Sequence, residues 1–151
     1  MNYRVWVCVV LSVGVAACCT LPAAPPSEPV LCPASPPAQM LKLVYVDVVL
    51  GPGGPVITPE TCVVRSGTRV LWRTAENALE PFELAFAESP VDPARQGVAG
   101  SDGQKDFLSQ RMGRRQEVLI TAKEVSAESD IKYDVRIGSH HLDPGIKIMP
   151  R

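Results

Sequence analysis

The chain reads as an all-β protein built on a sandwich of two antiparallel-rich sheets, and three observations predict it. Seven short runs rich in β-formers, Leu41–Leu50, Glu60–Arg65, Thr68–Thr74, Pro81–Ala87, Gln116–Thr121, Ile131–Ile137 and Pro144–Met149, are separated by turn residues. The cleanest of them, Lys132-Tyr133-Asp134-Val135-Arg136-Ile137, alternates polar and apolar side chains with the period of two that a half-buried strand requires. No stretch after residue 40 repeats apolar residues at helical spacing, and only Lys123–Ser129 looks weakly helical, for about a turn.

In order along the domain, Leu41–Leu50 is a long apolar strand that ends at Gly51-Pro52-Gly53-Gly54-Pro55, a loop by composition. Ser66-Gly67 separates the next two runs by the distance of a hairpin turn. Val70 and Trp72 then point to the core, followed by Phe82, Leu84 and Phe86 on the same period. Glu88–Phe107 is rich in Gly, Pro, Ser and Asp without any periodicity, and reads as a long excursion of the kind that carries binding function. Tyr133, Val135 and Ile137 complete the predicted core, with Tyr133 beside Trp72.

The residues before the domain have a different character. Arg4 precedes an apolar run from Val5 to Ala17, too short to span a bilayer and of the length of a signal peptide core. The run ends Val15-Ala16-Ala17-Cys18, which resembles the lipobox of bacterial lipoproteins. The resemblance implies cleavage before Cys18 and acylation of its thiol; an ordinary secretory leader cut near Ala23 or Ala24 is the alternative. In that family an aspartate after the lipidated cysteine favours inner-membrane retention. The neighbour here is Cys19, so the resemblance implies an envelope protein lipid-anchored to the outer membrane and facing the periplasm. Prolines at 22, 25, 26, 29, 33, 36 and 37 make Thr20–Gln39 a semi-rigid, polyproline-like stalk. The organisation is therefore a signal peptide over 1–17, the lipidated cysteine and Pro-rich linker over 18–39, and a β-sandwich domain over 40–151.

Cysteine usage fits an oxidising compartment. With Cys8 in the leader and Cys18 alkylated, Cys19, Cys32 and Cys62 remain. Pairing of Cys32 with Cys62 staples the linker to the domain, and Cys19 with Cys32 is the rival.

Within the domain, Val63-Val64-Arg65-Ser66-Gly67-Thr68-Arg69-Val70-Leu71-Trp72, then Phe82-Glu83-Leu84-Ala85-Phe86 and Tyr133-Asp134-Val135-Arg136-Ile137, resemble the strand–Gly–strand-Trp and terminal-hairpin pattern of cupredoxin-like domains, which are Greek-key β-sandwiches. An immunoglobulin-like sandwich is the other expectation. The chain departs from the copper-binding members. It has no cysteine after Cys62 and no histidine near Trp72–Phe82, so the resemblance implies the scaffold without its type 1 copper centre and without a cofactor.

Fifteen basic and sixteen acidic residues give a formal charge of −1, which argues against nucleic acid as partner. No nucleophile elbow or other catalytic arrangement is present, and Ser139 with His140 and Asp143 are too close in sequence for a triad, so the domain reads as non-catalytic. Two sites remain as expectations. Arg111, Arg114 and Arg115 form a basic turn next to the long excursion, suited to phosphate or carboxylate groups on another envelope component, an envelope protein first of all. His140, His141 and Asp143 are the alternative, a copper- or zinc-handling site, although adjacent residues on extended chain point opposite ways.

Overall fold

The computed structural model describes residues 28–91 and 103–151. The predicted leader and its Cys18, the linker up to Ser27 and residues 92–102 of the long excursion lie outside the described residues.

The described residues form twelve strands and no helix: β1 (Val30–Leu31), β2 (Leu43–Gly51), β3 (Gly54–Thr58), β4 (Thr61–Arg65), β5 (Arg69–Thr74), β6 (Glu83–Phe86), β7 (Asp106–Leu108), β8 (Gln110–Met112), β9 (Arg115–Thr121), β10 (Ser129–Ile137), β11 (His140–Leu142) and β12 (Gly145–Met149). They assemble into two mixed sheets of six strands. The first has the order β1-β2-β5-β9-β8, with β3 sharing the β1 edge of β2, and the second β4-β12-β10-β6-β7, with β11 sharing the β12 edge of β10. The pairs β1/β2, β2/β5 and β4/β12 are parallel. All seven sequence-predicted runs are strands, and the sandwich is all-β as expected.

The core lies between the sheets. Val44, Val46, Val70, Trp72, Val118 and Ile120 face inward from one sheet against Leu84, Phe86, Ile131, Tyr133, Val135 and Ile148 from the other. Trp72 and Tyr133 meet at its centre, edge to face with ring centroids 5.7 Å apart, and the indole Nε1–H donates to the Tyr133 hydroxyl oxygen at 3.0 Å. Phe86 stacks on Tyr133 at 4.8 Å, extending the aromatic cluster to Phe107. Burial raises the Tyr133 pKa well above the ordinary phenol range, and the Trp72 hydrogen bond only partly opposes this.

Five local expectations change. Ser66-Gly67 does not make a hairpin, because β4 belongs to the second sheet and β5 to the first. Ser66 is buried, its hydroxyl donates to the Met149 carbonyl and accepts from the Val125 amide, and Gly67 takes φ +80°, so the chain crosses between layers instead of doubling back. Lys123–Ser129 has no helical turn. The Lys123 amide donates to the Pro90 carbonyl and the Val125 amide to the Ser66 hydroxyl, so tertiary partners take the donors a helix would have used. The Gly51–Pro55 loop narrows to a two-residue turn, with Gly51 opposite Gly54 and β3 running on through Pro55 at a sheet edge, where a missing N–H is tolerated. The loop between Ile137 and Pro144 contains β11.

The last change moves the boundary of the domain. The linker does not run free to Gln39. Val30 and Leu31 pair with β2, the Cys32 amide donates to Tyr45, the Val63 amide donates to Pro33, and Arg65 Nη2 donates to the Pro37 carbonyl. Cys32 and Cys62 form a disulfide with Cα atoms 5.5 Å apart, both buried. Two β-formers and a half-cystine outweigh the surrounding prolines, so the fold begins about ten residues earlier than composition indicates.

Candidate functional site: the outer face of the first sheet

Strand alternation sends every second residue of β2, β5 and β9 outward. The registers bring Leu31, Tyr45, Leu71 and Leu119 abreast in one row across β1, β2, β5 and β9. A solvent-facing sheet surface is ordinarily polar. Here the same stretch of the three strands is apolar on its inner face as well, with Val44, Val46, Val70, Trp72, Val118 and Ile120. The next row is charged, with Asp47, Arg73 and Glu117 side by side. Arg73 Nε lies 3.1 Å from Asp47 Oδ1, and its guanidinium sits 3.5 Å over the Tyr45 ring, which fixes the aromatic side chain at the border of the apolar row.

Beside this row runs a groove of about 690 Å³ lined by Leu43, Leu71, Phe107, Leu108, Met112 and Leu119, with Arg69, Gln104, Asp106 and Glu117 among its polar members. Leu108, Met112 and Leu119 are 68%, 58% and 51% exposed. The groove owes its far wall to the path of the chain. β7 belongs to the second sheet and β8 to the first, so the backbone passes from layer to layer at Ser109, whose amide donates to the Phe82 carbonyl and whose hydroxyl accepts from the Phe82 amide. That crossing carries Leu108 and Met112 past the edge of β9.

The predicted basic turn stands next to this groove but is not one cluster. Arg111 lies on β8 and Arg114 in the tight β8–β9 turn, after Gly113 at φ +60°; both are exposed and, among the described residues, have no ion-pair partner. Arg115 is held inside the fold. Its guanidinium donates to the Thr74 carbonyl at 2.9 Å and pairs with Glu76 at 3.3 Å. With the Asn77 amide on the Arg114 carbonyl, this fastens the 75–80 loop to the β8–β9 hairpin. That loop closes a smaller cleft of about 370 Å³ with Val48, Leu50, Leu79 and Ile137 at one end of the sandwich.

His140 and His141 sit on β11, with His141 opposite Arg136 and His140 against Gly54 of the neighbouring hairpin; a side chain at Gly54 would come within 3.7 Å of the His140 Cβ. Asp143 follows the strand. Among the described residues no three His, Cys, Asp or Glu side chains come together in a metal-binding group, so the structure does not unite His140, His141 and Asp143. Among the described residues the other shifted ionisable group is Lys147, a partly exposed lysine on the other sheet, raised chiefly by its hydrogen bond to Glu128 at 2.6 Å.

The groove residues Leu43, Leu71, Leu108, Met112 and Leu119 were not singled out by sequence. Their signal is present: Leu43-Val44-Tyr45-Val46, Val70-Leu71-Trp72 and Val118-Leu119-Ile120 break the alternation expected of strands that are wet on one side. Neither protein-family models nor curated proteins give a match to this chain.

Proposed function

We propose that the chain is a lipid-anchored bacterial envelope lipoprotein whose non-catalytic, cupredoxin-like sandwich binds another envelope component through the outer face of its first sheet. The observation that carries the binding part is the apolar row continuing into a groove with three well-exposed large apolar side chains. Contiguous exposed apolar surface of this kind marks interaction sites. The end of the long excursion, Gln104, Asp106 and Phe107, lines the groove, which brings one feature singled out by sequence to this surface. The cupredoxin-like part is supported by the connectivity, in which the chain changes sheet after β3, β4, β5, β7 and β9 and pairs β4 in parallel with β12. The anchored part rests on the Val15-Ala16-Ala17-Cys18 sequence and on a disulfide suited to an oxidising compartment.

Two measurements test it. Mass spectrometry of the protein purified from membranes is expected to show a mature chain beginning at acylated Cys18, and an unlipidated chain beginning at Pro25 overturns the anchor. A photoreactive residue in place of Leu119 is expected to give adducts in intact cells that are lost with Leu71→Asp, whereas adducts indifferent to Leu71→Asp remove the groove as the binding surface.

A further inference from the structure

We infer that the envelope component met by this face is the bilayer surface itself, so that the domain lies on the membrane with its first sheet down instead of standing off on a stalk. The inference rests on the lipid-anchored reading. Its starting point is where the chain enters the fold. β1 joins the edge of the first sheet, and Leu31 is the first member of the outward apolar row. The Cys32–Tyr45 hydrogen bond holds that entry point to the edge of the first sheet, and the Cys32–Cys62 disulfide to β4 of the second fixes it at the lateral seam, so the tether leaves the sandwich beside the apolar row. Twelve residues along the chain separate Val30 from Cys18, which at full extension span only about 40 Å.

Anchoring changes what a small apolar surface can do. A patch of a few leucines gives a free protein little hold on a bilayer, but once the acylated cysteine keeps the domain within reach, the second contact is intramolecular and is governed by effective concentration. The charged lining of the groove is mixed, Arg69 against the carboxylates Asp106 and Glu117, so it is the exposed apolar side chains held within reach of the anchor, and not net charge, that favour the bilayer.

The test uses the full-length lipidated protein in vesicles of phosphatidylethanolamine and phosphatidylglycerol at about three to one, with brominated acyl chains as the quencher. Leu119→Trp reports from the apolar row and Lys132→Trp from the outer face of the opposite sheet, with Trp72 as the buried background. The expected result is that both variants float with the vesicles and that bromine quenches the Leu119→Trp signal at least threefold more than the Lys132→Trp signal. Flotation with equal, weak quenching of the two overturns the inference while leaving the anchor intact. A blue-shifted Leu119→Trp emission that bromine does not quench also overturns it, by showing that a protein or a second copy covers the face. Failure to float removes the anchor and the inference together.

Discussion

Removing both halves of the disulfide, as Cys32→Ala with Cys62→Ala, gives the sharpest test of where the fold begins. Alanine is chosen because both cysteines are buried and a serine hydroxyl would add its own desolvation cost. The bond closes a loop with a sequence separation of 30. The chain-entropy relation for a loop of that size gives about 12 cal/mol/K, or about 3.6 kcal/mol at 25 °C, drawn from the unfolded state. Against a domain stability of roughly 5–15 kcal/mol this is a large fraction. Urea unfolding followed by Trp72 emission is the assay, and the midpoint should fall by roughly 1–4 M for slopes of about 1–3 kcal/mol/M. Hydrogen exchange adds a local readout: the amides of Cys32 and Val63, bonded to Tyr45 and Pro33, should lose protection before the amides of β5 do. A loss below about 1 kcal/mol, with those two amides still as protected as β5, would refute the view that the bond fastens Val30–Pro33 to the sandwich.

Four other expectations follow from the same structure. Trp72→Phe leaves the buried Tyr133 hydroxyl without its donor and thins the aromatic cluster, so it should cost about 2–4 kcal/mol by denaturant unfolding. Because burial raises the Tyr133 pKa, the folded protein keeps that proton while the unfolded chain releases it. Stability is therefore full below about pH 10 and should fall by about 1.4 kcal/mol per pH unit above it, a slope that Tyr133→Phe removes in alkaline unfolding curves. Leu119→Ser removes a half-exposed side chain and should change stability by less than about 0.5 kcal/mol by denaturant unfolding, while abolishing adducts from a photoreactive residue placed instead at Leu108. Zinc and copper titrations by calorimetry should show no micromolar site that depends on His140 and His141, because among the described residues no third ligand gathers beside them.

The seven main strands were legible as short runs of β-formers between turn residues, and Trp72, Phe82, Leu84, Tyr133 and Val135 are buried as their spacing predicts. The short elements were not. β1, β8 and β11 have two or three residues each, too few to carry a period, and β1 stands among prolines; what forms them is their partners in β2, β9 and β10. Layer assignment was equally invisible, since Ser66-Gly67 looks the same whether it turns back or crosses over. The difference lies in the burial of Ser66 between Met149 and Val125, residues far away in sequence. At the candidate site, Arg111 and Arg114 were readable as free charges, but the ion pair that withdraws Arg115 depends on Glu76, thirty-nine positions away. The outer apolar face was hidden because sequence reading assigns apolar residues to the core by default, and only the register shows that Tyr45, Leu71 and Leu119 stand in line on the outside.

The two lateral seams of the sandwich are handled differently from its faces. One is stitched by the disulfide, by the Val63–Pro33 hydrogen bond, and further along by His140 against the backbone at Gly54; at the other the chain steps across at Ser109, from β7 to β8. Unpaired strand edges are the templates on which β proteins polymerise. A protein confined to two dimensions meets its own copies far more often than one diluted in three, so a lipid-tethered β domain with open margins would be prone to linear association. Closing the seam at β1 and β4 limits association along the strands there while the outer face of the first sheet stays apolar.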